Sequence, residues 1–156
     1  MPTAGPPAVV DRLRSTALDL VTLVSGADAG PLRRAPAPGE WSAATVVAHL
    51  ADAEVVYSVR ARLMLTADRP WLPAFDEQAW VARFAGLDPH VRDSLQRWRL
   101  LRDANVRLFA SLDEPEWARE GVHEERGTLS VAALAELVVS HDRSHLDQIR
   151  AALAAG

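Results

Sequence analysis

The stretch TLSVAALAELVVSHDRSHLDQIRAAL, Thr128 to Leu153, holds two of the chain's five histidines, four positions apart. Its apolar residues recur every three or four positions and Thr128 or Ser130 can cap its start, so it reads as an amphipathic helix reaching about residue 153. At roughly 100° per residue, His141, His145 and Gln148 share the apolar face with Leu134, Val138 and Ala152. Polar atoms on a core-facing stripe need partners, because an unsatisfied buried group costs on the order of 1 to 3 kcal/mol. The spacing matches the zincin HExxH, but Asp142 stands where that motif needs Glu to reach the water on its metal, which weakens the zincin reading. Two readings stay open for the pair: a shared metal ion, or hydrogen-bonded core histidines.

Upstream segments have the same period. Val10, Leu13, Ala17, Leu20, Val21 and Val24 mark a helix over about 7–25, which Gly26 ends. The loop GPLRRAPAPGEWS, residues 30–42, leads to Ser42 as N-cap of a second helix over about 43–67. Asp76 can cap a short helix after Pro70 and Pro73, and Asp88-Pro89 signals a third long helix, with Asp88 as N-cap, running to about Leu112. Residues 113–127 are polar and turn-rich, and no alternating run marks a strand anywhere. Four long helices with the longest connection, roughly 20 residues, between the second and third predict an all-α four-helix bundle with a long crossover, in one domain spanning 1–156.

With 49% hydrophobic and 24% charged residues the chain has the composition of a soluble globule. A net charge of -4 without a basic block argues against nucleic acid as a partner. All 17 basic residues are Arg, which excludes lysine Schiff-base chemistry. Cysteine is absent, leaving His and carboxylates as the strong metal ligands and requiring any thiol to come from a substrate. The N-terminus lacks the pattern of a signal peptide and no run approaches the ~18 apolar residues of a membrane span, so a cytoplasmic protein without membrane contact is expected.

A third ligand should lie on another helix, and His49 falls on or near the stripe of Val46, Leu50, Ala53, Val56 and Leu63. His90 and His123 are expected to be exposed. Arg60, eleven residues beyond His49 and roughly 16 Å along the axis, can point inward to hold an anionic substrate or to pair with a bundle carboxylate. Asp52 can accept the outer N–H of a ligating imidazole or remain a solvated charge, and solvation is the reading for Glu54. Trp41, Trp71, Trp80, Trp98 and Trp117 read as core and pocket walls.

Glu40-Trp41-Ser42 leading into His49-Leu50-Ala51-Asp52-Ala53-Glu54 resembles the WS…HLxDxE helix of the DinB-like (YfiT-like) family, and His141 to Ile149 resembles its closing HxxxHxxQI. The similarity spans nearly the whole chain, including Trp80 and the Thr128-Leu129 entry to the last helix. It implies a four-helix bundle in which His49, His141 and His145 bind one divalent ion, zinc or nickel. It also implies a metal-dependent transferase or hydrolase that places water or a low-molecular-weight thiol on an open coordination position. Gln148, Asp52 and Arg60 would line or support that pocket. The chain ends seven residues after Ile149, so the extra domain of the mycothiol-dependent maleylpyruvate isomerase is not expected. The expected partner is a small-molecule substrate, with a homodimer as an open option. The alternative is a non-catalytic, metal-stabilised ligand-binding or stress-associated bundle.

Overall fold

A computed structural model describes residues 6–155. Residues 1–5 of the N-terminal segment read for a signal peptide lie outside the described residues. In chain order the elements are α1 (Pro6–Ser25), α2 (Ala29–Arg33), α3 (Ala43–Thr66), β1 (Trp71–Leu72), α4 (Glu77–Phe84), α5 (Val91–Ala110), α6 (Glu114–Trp117), β2 (Glu120–His123), β3 (Gly127–Ser130) and α7 (Val131–Ala154). Ser42, Asp76 and Ser130 cap α3, α4 and α7 by accepting from the backbone N–H three residues on. The third long helix starts later than expected. His90 is its N-cap and donates its backbone N–H to Asp93, whereas Asp88 is drawn away to accept from Ser94 and Arg97.

The long helices α1, α3, α5 and α7 form the bundle, with α1 and α3 each packed on α5 and α7 and therefore diagonal to one another. Contacts across the interfaces set the directions. Arg12 pairs with Glu136 and Thr16 with Asp142, so α1 and α7 run parallel. Asp52 meets Arg97 and Arg62 meets Asn105, so α3 and α5 run parallel as well. The two apolar clusters join Ala53, Tyr57 and Met64 to Val131–Val139, and Val46, Leu50 and Ala51 to Leu146–Ala152, so α3 and α7 are antiparallel. The order is up-down-down-up. Parallel neighbours cannot be joined by a tight turn, so residues 67–90 must travel back along a helix of 24 residues, about 36 Å.

A small sheet, absent from the sequence expectations, pins that crossover. β1 pairs in parallel with β2, Trp71 opposite Val122 and Leu72 opposite His123, and β2 and β3 form an antiparallel hairpin. The strands are too short to show a period, and the pairing depends on chain segments about 50 residues apart. Gly121 lets β2 approach the core: a Cβ there would lie 2.8 Å from Leu72 Cδ1 and 3.1 Å from Met64 Cγ.

At the bundle centre sits an ionic cluster with one member from each long helix and a second from α5. Arg102, 1% exposed, donates to Glu54 at 3.0 and 2.8 Å and to Asp142 at 2.6 and 3.0 Å, and its guanidinium lies 4.7 Å from the centroid of the Trp98 ring. Thr16 donates to Asp142 and Asn105 to Glu54. Glu54 is thus a buried, fully bonded carboxylate rather than a solvated charge. The two carboxylates raise the Arg102 pKa against the opposing effect of burial, which keeps the guanidinium charged.

Candidate metal centre

Three imidazoles converge where α3 faces α7. His49 is 1% exposed among the apolar side chains of α3, while His141 and His145 are half-buried. The buried stripe of α7 runs through Leu134, Val138, Asp142, Leu146 and Ile149. His141, His145 and Gln148 therefore occupy its flank rather than its centre, and Asp142 is the polar residue that points fully inward. The flank position leaves one side of the two histidines open to cavities.

His49 Nε2 lies 3.1 Å and His145 Nε2 3.2 Å from His141 Nε2. An ion about 2.0 to 2.1 Å from each nitrogen would separate them by about 3.3 Å at tetrahedral angles and about 2.9 Å at octahedral ones. The observed spacings fall between these values. Without an ion, one proton on His141 Nε2 can satisfy only one of its two imidazole neighbours. His49 Nδ1 and His141 Nδ1 are buried without a partner, so neither ring is held by a hydrogen bond on its far side. The donor set fits one divalent ion.

Gln148 holds the third ring. Its Oε1 accepts from His145 Nδ1 at 2.7 Å, which fixes the ring proton on Nδ1 and presents the Nε2 lone pair to the centre. Burial, with the neighbouring His145 and His141, pushes His49 down from 6.5 to about 4, and burial with His141 lowers His145. Both are thereby held neutral, the state that ligates metal.

Glu77, the first residue of α4, was not singled out in the sequence. Its Oε1 stands 3.7 Å from His141 Nε2 and 3.9 Å from His49 Nε2, with its side chain 43% exposed. Polar contact with His141 lowers its pKa against burial, and the other two imidazoles add to the effect. The carboxylate is therefore ionised beside the triad. The only sequence signal for it is Asp76, whose cap starts α4 at this residue; what brings Glu77 across the centre is the folded crossover.

Two cavities meet at this carboxylate. One of about 500 Å³ is lined by Glu40, Trp41, Gln78, His145 and Gln148 as well as Glu77. A smaller one of about 260 Å³ is lined by Tyr57, Arg60, Phe75, His123 and His141 in addition to Glu77. Trp41 stacks over His145 and leans on His49, with centroids 6.4 and 5.2 Å apart, and Tyr57 meets His141 edge-on at 5.6 Å.

Other sequence expectations change. Asp52 accepts from Arg97 at 2.8 Å and supports no imidazole. Arg60 makes no carboxylate pair among the described residues; it donates to the Pro73 carbonyl at 2.6 Å. His123 is buried, because β2 pairs with β1 and turns it inward, whereas His90 is exposed as expected. Leu63 lies outside the core, its place taken by Met64 on the wide buried face of α3.

The DinB superfamily profile matches residues 12–149. The chain belongs to the DinB superfamily. Relatives of this DinB chain include a "putative metal-dependent hydrolase" of Oceanobacillus iheyensis, 30% identical over 74% of this chain and 66% of that protein. A second "putative metal-dependent hydrolase", from Bacillus licheniformis, is 31% identical over 72% of this chain and 65% of its own length. The DinB chain thus spans just under two thirds of these relatives. YfiT from Bacillus subtilis, described as a probable metal-dependent hydrolase with an unusual four-helix bundle topology, superposes with a TM-score of 0.84 at 23% identity, covering 93% of this chain and 83% of YfiT. The mycothiol-dependent maleylpyruvate isomerase superposes with a TM-score of 0.74 at 14% identity, covering 94% of this chain and 61% of the isomerase. These likenesses agree with the up-down-down-up bundle, and this DinB chain brings three histidines together in an arrangement suited to a metal.

Proposed function

We propose that this DinB protein is a metal-dependent hydrolase of a small molecule, with one zinc or nickel ion held by His49, His141 and His145. One observation carries the reading: three Nε2 atoms converge with an ionised carboxylate, Glu77, within 4 Å of two of them and cavities on the open side. Such an ion supplies Lewis-acid activation of water or of a substrate oxygen near neutral pH. Glu77 is placed to accept the proton that this activation releases. Gln148 keeps His145 in the ligating tautomer, and Trp41, Phe75 and Tyr57 limit the approach of bulk water. Among the described residues no helix is long and apolar enough to cross a membrane.

A second reading rests on the two cavities. Two separate spaces meeting at the triad suit a reaction between two molecules, so a low-molecular-weight thiol could occupy the larger one as co-substrate in a transferase. Elemental analysis of protein purified without an affinity tag should find about one divalent ion per chain, lost in His145→Ala. Hydrolysis of a panel of small esters and amides, and conjugation of low-molecular-weight thiols to small electrophiles, should each be compared with Glu77→Gln. The hydrolase reading expects turnover that falls at least about tenfold in Glu77→Gln while the ion is retained. No ion after adding zinc or nickel refutes the metal reading, and an ion that raises stability without any turnover favours a non-catalytic bundle.

A further inference from the structure

The smaller cavity contains a charge that the triad does not account for. Arg60 is 5% exposed, donates Nη2 to the Pro73 carbonyl at 2.6 Å, and leaves Nε buried without a partner. A guanidinium removed from water normally has a carboxylate or several acceptors, and an uncompensated one is costly. The chain keeps Arg102 in that way, with two carboxylates, yet gives Arg60 none among the described residues. Glu125 and Arg126 also line this cavity, both exposed, so they offset one another at its mouth. Burial lowers the Arg60 pKa, Arg126 adds to that, and Tyr57 and Glu125 oppose it.

His123 supplies a second donor. Its Nδ1 accepts from the Glu125 backbone N–H at 3.2 Å, which places the ring proton on Nε2. The ring is 4% exposed and lines the same space as Arg60 and the ligand-set residue His141. Both donors come from segments that the small sheet holds together, Arg60 through Pro73 after β1 and His123 at the end of β2.

We propose that this cavity binds a carboxylate of the substrate on Arg60 and His123, so that the reacting group lies toward His141 and Glu77. The proposal deepens the hydrolase reading and rests on it. A single buried guanidinium with one neutral donor matches a monoanion, and its planar fork matches a carboxylate; a phosphate dianion would call for further buried cations. A cavity of about 260 Å³ admits a small acid rather than a lipid or a peptide.

The test uses zinc-loaded protein and propionate, with propionamide as the uncharged isostere, followed by NMR shift titration at fixed ionic strength. Propionate should saturate the wild type with shifts at residues 57–60, 73–75 and 123. Arg60→Met should weaken it at least about tenfold while helicity and zinc content are kept, and propionamide should bind far more weakly. If Arg60→Met does not fold, Arg60→Lys keeps the charge without the fork and should weaken binding by a smaller factor. Propionate binding that is unchanged in the variant, propionamide binding as tightly as propionate, or shifts confined to the triad would each overturn the assignment. Parallel elemental analysis separates the two readings. Zinc bound without Arg60 dependence refutes the carboxylate site alone, whereas Arg60-dependent propionate binding in protein that cannot hold zinc refutes the metal reading alone.

Discussion

Replacing Arg102 by methionine tests whether the central ionic cluster holds the bundle or merely occupies it. Arg102 makes five hydrogen bonds, two to Glu54, two to Asp142 and one to Thr16, and none of the three charged residues is more than about 3% exposed. Methionine fills much of the volume and keeps contact with Trp98, so the main loss is electrostatic. Two carboxylates would remain in the core, one still bonded by Asn105 and one by Thr16. Removing one partner of a buried ion pair typically costs about 3 to 5 kcal/mol, a large part of the roughly 5 to 15 kcal/mol that stabilises a domain. For a chain of this length that corresponds to a fall in Tm on the order of 10 °C. Urea denaturation followed by circular dichroism measures it. Adding Glu54→Gln to Arg102→Met should return part of the loss, because one stranded charge is then gone. A loss below about 1 kcal/mol, or a double variant less stable than the single one, would refute the argument.

Acid should destabilise the metal-free protein through His49. Its folded pKa is about 4 against 6.5 unfolded, so the unfolded chain binds the extra proton between those values and stability falls as pH drops through that window. The expected loss is about 2 kcal/mol at pH 5 relative to pH 7, reduced in His49→Gln; equal urea midpoints at both pH values in the wild type would contradict it. Gln148→Leu removes the acceptor that fixes His145, so zinc affinity should fall roughly 10- to 100-fold with little change in helicity, as read by competition with a chelator. Unchanged affinity would reduce Gln148 to packing. Gly121→Ala places a methyl against Leu72 and Met64, both 0% exposed, and should cost about 1 to 3 kcal/mol in urea denaturation; a neutral result would show that the crossover yields more easily than its packing indicates.

Much of the fold was legible in the chain because its long helices carry their own signals. The period of α1, α3, α5 and α7, the caps Ser42, Asp76 and Ser130, and the long gap between Thr66 and Val91 are local features, and they specified a four-helix bundle with a crossover. The three histidines followed from spacing and from resemblance to a family. Helical wheels, however, treat every apolar face as symmetric about its centre. They put His141 and His145 in the interior and Glu54 in solvent, whereas the packing of α7 against both α1 and α3 rotates Asp142 inward and leaves the histidines on the flank.

By itself the sequence determined the long helical segments, the starts of α3, α4 and α7, and that imidazoles on two of the helices could meet, since each of these depends on residues within a turn or two of one another. Only the tertiary structure decided the direction of the helices, the pairing of β1 with β2, and which side chains line the cavity beside the three histidines. Glu77, Arg60 and His123 come from the crossover, from α3 and from a hairpin, and no periodicity links them. They reach one site because residues 67–76 must run back along the bundle to join two parallel helices, and pairing with β2 holds that segment across the open side of the three histidines.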